Sequence, residues 1–190
     1  MSSTSSTKPR ALLDTTVLCG ALCTDGVNRQ LLRLGWGSLY YQPVLSRVTL
    51  FEMYNVAINK GLRGVRYSSD DIEAFMQDVV SPLLENNTAV NSVIGRYHVL
   101  SKLYEHRPTG EVLAELSGCT QVDTVEIIRT AGMDQPLSHY DPEDMHVWLS
   151  AIQEKCDYMV TSNTRRFPEC IGRIQRIHPK EFLFGIIGFE

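Results

Sequence analysis

The chain lacks any apolar run close to the ~20 residues that a helix needs to cross a bilayer, so no membrane-spanning helix is expected. Its start, MSSTSSTKPR, carries no apolar stretch and does not look like a secretory signal. Residues 1–9 read instead as a polar, disordered lead-in. Cysteine is scarce and unpaired in pattern: Cys19, Cys23, Cys119, Cys156 and Cys170 are odd in number and include no CxxC. That excludes a disulfide framework and a cysteine zinc site, and it favours a reducing, cytoplasmic location. An excess of positive charge is missing too. With 18 Lys and Arg against 22 Asp and Glu, the formal net charge is −4, and the chain as a whole is no basic nucleic-acid binder. Three short clusters, Lys60/Arg63/Arg66, Arg165/Arg166 and Arg173/Arg176, still allow a local basic surface.

What is present is ordinary globular material: 190 residues, 43% of them hydrophobic. We expect one domain over 10–190, able to bury roughly 70% of its unfolded surface without a staple. Short apolar strands alternate with helix-like stretches. Ala11 to Leu13 stop at Asp14, and a helical segment follows from Val17. Val44 and Leu45 lead through Ser46, a good cap, into a helix that ends near Lys60 before Gly61. SSDDIEAFMQDVVSPLL opens with Ser and Asp and spaces Ile72, Phe75, Met76 and Val79 helically. Residues 92–106 read as another helix, while 107–140 are poorly legible, with a short helix in TGEVLAELSG and a strand in TVEIIRTAG. Met145, Trp148, Leu149 and Ile152 form a one-sided apolar stripe. DYMVTSN and Ile174 to Ile177 are strands, and a short helix follows Pro179. The alternation predicts an α/β fold with a central parallel sheet and helices on both faces.

Acids gather at the ends of these strands, where open parallel sheets bind ligands. Asp14 follows the first strand. Glu52 shares a helix face with Val48 and Val56, a costly place for a carboxylate that has no partner. In HYDPEDMHVWLSAI, Asp141 suits an N-cap, Pro142 the first helical position and Asp144 a capping box. Each acid therefore also has a plain structural role: cap, snorkelling glutamate or helix start. If Asp14, Glu52 and Asp144 did converge at about 5 Å, they would repel by roughly 3 kcal/mol per pair at an effective dielectric near 20. A compensating cation is then expected. Oxygen donors without cysteine or histidine point to Mg²⁺ or Mn²⁺ and to phosphodiester hydrolysis. His146 reads as a packing residue or as one that supports a site ligand from behind, and Asp157 as an exposed turn residue.

The pieces LLDTTVL, LSRVTLFEM and DPEDMHVWLSAIQEKCDYMVTSNTRRFP resemble the PIN-domain nucleases, and HPKEFL fits a bacterial toxin-like branch of them. The resemblance covers about 10–60 and 138–184 and leaves a region about 85–138 as a helical insert. It implies a three-layer PIN-like domain and a metal-dependent endoribonuclease, a hydrolase cutting RNA at an acidic Mg²⁺ or Mn²⁺ site. Asp14, Glu52 and Asp144 become the catalytic, metal-holding acids, with Asp141, Ser162 and Asn163 as accessory residues. Many PIN domains have an aspartate where this chain has Asn163, and the toxin-like branch often has asparagine there. That branch also tends to carry an acid where Arg166 stands. Arg165 and Arg166, flanking the pocket, are assigned to substrate phosphates. The implied partners are RNA, an antitoxin-like protein and a second copy in a homodimer.

Two rival readings stand beside this one. A PIN-like fold weakened at Asn163 would be an RNA- or protein-binding module rather than an enzyme. A phospho-receiver-like domain also gathers acids at strand ends, but it wants paired acids after the first strand and a late lysine. Here Thr15 and Thr16 follow Asp14, and the late strand ends in Ser162 and Asn163.

Overall fold

The computed structural model describes residues 8–85, 105–108, 111–113, 115, 144–164 and 167–189. Most of the expected insert at 85–138, the helix at 92–106, Asp141, Arg165 and Arg166 lie outside the described residues.

Among the described residues, five strands form one sheet: β1 (Arg10–Leu13), β2 (Gln42–Val44), β3 (Tyr158–Val160), β4 (Cys170–Ile171) and β5 (Ile174–Ile177). Their order is β2-β1-β3-β5-β4; the first four run parallel, and β4 pairs antiparallel to β5. Leu12 lies between Val44 of β2 and Met159 of β3. Side chains alternate across the pleat. Ala11, Leu13 and Val160 enter one core, and Leu12, Val44 and Met159 enter another. With apolar residues on both faces, these strands read as continuous hydrophobic runs in the sequence.

The first core is covered by α1 (Thr15–Cys23), α2 (Val27–Gly35), α3 (Arg47–Asn55) and α4 (Ser69–Phe75), followed by the short α5 (Ser81–Leu84). Asp14 caps α1 and Ser46 caps α3, while Ser68 and Asp71 form a reciprocal capping box on α4. Past Asn55, α3 widens into a π-helical turn, Val56–Lys60, which stops at Gly61 with φ 75°. A β-carbon there would meet the Val65 carbonyl oxygen at 2.8 Å, so the turn requires glycine.

The opposite face carries α6 (Met145–Gln153), which packs on β1 and β3. The one-sided stripe expected here is only part of its surface, because every residue from Met145 to Ile152 is buried. Phe167, Val112 and Leu113 join the same core, and the Trp148 and Phe167 rings meet edge to face at 6.2 Å. The chain closes with α7 (Pro179–Glu181), capped by His178. The result is a three-layer α/β fold. No described helix is long and apolar enough to cross a membrane.

From β1 the chain goes to β2 on one side, while β3 pairs on the other. The strand order reverses at β1, and the crevice that such a reversal opens lies beyond Leu13 and Val160.

Candidate functional site

Asp14 stands at that crevice, directly after β1, and is only 5% exposed. Its backbone N–H donates to the Val160 carbonyl at 3.0 Å, which keeps it in line with the end of β3. Its Oδ2 accepts from Thr161 Oγ1 at 2.7 Å, Thr16 Oγ1 at 2.8 Å and the Thr16 backbone N–H at 3.4 Å. Among the described residues, all three bonds fall on Oδ2 and none on Oδ1. The donors are neutral, and no Lys or Arg among the described residues pairs with this buried carboxylate.

Glu52 is reached from two helices. Thr15 Oγ1 donates to Oε2 at 2.6 Å, and His146 Nε2 lies 3.1 Å from Oε1. The glutamate side chain is 33% exposed. On α3 the fully buried face is Thr49, Met53 and Ala57, so Glu52, Val48 and Val56 lie along its half-buried margin.

Asp144 opens α6 with φ −87° and ψ −7°, and its side chain makes no capping bond to the helix. Asn163 Nδ2 points at Asp144 Oδ2 from 3.4 Å, the long limit of such a bond. Asn163 is itself tied back, because its backbone N–H donates to Thr161 Oγ1 at 2.9 Å. The Ser162 backbone N–H donates to Thr16 Oγ1 at 3.0 Å.

These contacts join into a ring. Asp14 connects through Thr161 and Asn163 to Asp144; two residues on along the chain, His146 reaches Glu52; and Glu52 accepts from Thr15, the residue after Asp14. The Cys19 thiol registers the same charge, being pushed up to about 12 by burial first, then by Cys23, Asp14 and Glu52. Among the described residues, no three His, Cys, Asp or Glu side chains draw together as tightly as a shared ion requires. Each acid is instead held by its own hydroxyl, amide or imidazole partner. The donor set nonetheless suits a hard divalent cation, because it offers carboxylate oxygens, including an Asp14 Oδ1 that accepts no hydrogen bond from the described residues.

A family model described as PIN domain matches residues 10–165. The chain belongs to the PIN domain family. PIN domains are generally metal-dependent nucleases. No curated protein matches the chain in sequence. The matched span begins with β1 and takes in Asp14, Glu52, Asp144 and Asn163.

In this PIN domain the structure brings four of the sequence-selected residues, Asp14, Glu52, Asp144 and Asn163, into one network. Ser162 joins by its backbone, with its side chain exposed. Asp141, Arg165 and Arg166 lie outside the described residues. For His146 the sequence leaves both packing and support of a ligand open; it is fully buried and contacts Glu52. Thr15, Thr16 and Thr161 were passed over. The only sequence signal for them was hydroxyl residues beside the acid or strand end, a signal shared by ordinary caps and turns. Arg176, grouped with Arg173 as a basic cluster, turns inward: its Nη1 donates to the Thr164 carbonyl and to the Phe167 carbonyl, the latter at 2.6 Å. Asp157 is exposed as expected, and it also accepts from the Arg10 backbone N–H at 2.9 Å, pinning the start of β1.

Proposed function

We propose that this PIN domain is an endoribonuclease in which Asp14, Glu52 and Asp144 hold Mg²⁺ or Mn²⁺ and hydrolyse RNA phosphodiester bonds. The observation that carries the reading is the hydrogen-bonded ring joining these acids beyond the ends of β1 and β3. A divalent ion bound there would supply an acidified water and charge neutralisation for the phosphate. The chain supplies the rest. Thr161 and Thr16 grip Asp14 Oδ2, which fixes the carboxylate and leaves Oδ1 to face the ion. Asn163 adds an amide without adding charge, and Asp141 and Ser162 are assigned accessory roles. Arg165 and Arg166 are assigned to phosphates of the RNA, so replacing both with Ala should flatten the salt dependence of binding.

The toxin role, an antitoxin-like partner and a homodimer belong to the same proposal and rest on the resemblance of the DPEDMHVWLSAI…VTSN block. The four described cysteines are all free, which supports a reducing, cytoplasmic setting. One observation favours a second reading. The position that many PIN domains fill with an acid is here an amide aimed at Asp144, which fits a binding module with weakened catalysis.

The test is Asp14→Asn and Asp144→Asn, each assayed on RNA with Mn²⁺ and with EDTA. Losing a partner of a metal ligand already costs about 10–100-fold, so losing a ligand should cost at least that much activity while the fold survives. Full activity in both variants, or in EDTA, removes the mechanism.

A further inference from the structure

We propose that His146 is a positioning residue for Glu52, gripping Oε1 while Thr15 grips Oε2. The proposal rests on the reading of Glu52 as a metal ligand and concerns how this chain fixes that ligand.

His146 is completely buried and sits on α6 among Met145, Val147 and Trp148, all buried too. An imidazole in that place needs a polar partner, and Glu52 Oε1 is 3.1 Å from its Nε2, 94 residues away in the chain. The other ring nitrogen, Nδ1, is buried and has no hydrogen-bond partner among the described residues. A carboxylate only accepts, so the proton facing it is on Nε2. A second proton on Nδ1 would bury an N–H with no acceptor, so the arrangement assigns the Nε2–H tautomer.

The grip on Glu52 comes from both sides of the sheet. Thr15 belongs to α1, in the layer of the first core, and His146 to α6, in the opposite layer. A glutamate on the half-buried margin of a helix would otherwise be free to adopt several rotamers, an entropy cost that an incoming ion would have to meet. Held at both oxygens, the carboxylate has its plane and reach set in advance. Because His146 lies two positions after Asp144, the same contact also ties the helix of the third acid to the side chain of the second.

The test uses the full chain and Mn²⁺ as the probe, titrated by calorimetry. His146→Leu, which keeps bulk but donates nothing, should weaken Mn²⁺ binding about tenfold. His146→Gln, whose amide nitrogen reaches nearly as far as Nε2, should recover most of that loss. In a Glu52→Gln background, His146→Leu should bring no further loss, because the residue acts only through Glu52. Ring ¹⁵N shifts should show the proton on Nε2 in the parent chain and a changed Nε2 signal in Glu52→Gln, a readout independent of metal. If His146→Leu does not fold, His146→Asn, too short to reach Oε1, replaces it. Equal losses in the Leu and Gln variants, or a His146→Leu effect that persists without the Glu52 carboxylate, would mean packing alone and would overturn the proposal. If Glu52→Gln binds Mn²⁺ as tightly as the parent, the metal-ligand reading of Glu52 falls and takes the positioning role with it. If Glu52→Gln is weak while His146→Leu matches the parent, the positioning role falls alone.

Discussion

Thr161 donates its hydroxyl to Asp14 Oδ2 at 2.7 Å, linking the residue after β3 to the residue after β1. The two strands are neighbours, and this bond continues their pairing one step past the sheet. The same oxygen accepts the Asn163 backbone N–H, so a single hydroxyl orients an acid and directs the following turn.

Thr161→Val keeps the shape and removes the donor. Hydrogen bonds to charged groups contribute about 1.5–3 kcal/mol, so the urea midpoint should fall by a corresponding amount, and Thr161→Ser should restore most of it. A Val variant as stable as the parent would show that the Thr16 donors suffice for Asp14.

Asn163→Asp replaces a donor facing Asp144 Oδ2 at 3.4 Å with a second carboxylate. Like charges that close disfavour ionisation of both, so metal-free protein should melt at a lower temperature. Mn²⁺ should bind more tightly, because the pocket gains a negative oxygen. Calorimetric titration beside metal-free melting curves reads both changes; if neither moves, the side chain does not face the acids.

Two thiols set a response to alkali. Burial is the first cause pushing both Cys19 and Cys156 from an ordinary 9.0 up to about 12. The folded chain holds these protons more firmly than the unfolded one. The contribution is therefore intact below pH 9 and is lost progressively as pH climbs from 9 towards 12. Burial also raises the Tyr41 hydroxyl, which donates to the Leu31 carbonyl, and it adds to the loss at the upper end. Urea midpoints should drop between pH 8 and pH 10.5, and Cys156→Ala should make that drop shallower. A midpoint independent of pH over this range would show that the thiols ionise freely in the fold.

Arg176 clamps the Thr164 and Phe167 carbonyls on either side of positions 165 and 166. Arg176→Ala should lower stability by about 2–3 kcal/mol in urea melts. Arg176→Lys should recover little, since one ammonium poorly replaces a planar, multi-donor guanidinium. Full recovery by lysine would assign the residue a role through its charge alone.

The strands and their caps could be read because each local signal agreed with its neighbours. Leu12 and Met159, buried on one face, and Leu13 and Val160, buried on the other, gave unbroken apolar runs. Asp14, Ser46 and Ser68 stood where helices start. The two-residue β4 left no period to detect, and α2 was hidden within the stretch after α1. The core around α6 includes Phe167, Val112 and Leu113, which no window around Met145–Gln153 contains. At the site the acids could be picked out, because a carboxylate at a strand end or on a half-apolar helix face breaks a local expectation. Their partners could not. His146 meets Glu52 across 94 residues and Thr161 meets Asp14 across 147, and neither type of residue stands out in its own neighbourhood.

The register of β1 against β3, with Leu13 beside Val160, has a consequence for synthesis. Strand β2 can join β1 early, but β3 and Thr161 are translated roughly 150 residues after the lead-in, and the cost of closing so long a loop comes due only then. Until that stretch leaves the ribosome, Asp14 lacks Thr161 and the Val160 carbonyl. A growing chain therefore carries all three acids before the first of them can be held in place. A product truncated before β3 would lack the strand end that holds both the backbone and the carboxylate of Asp14.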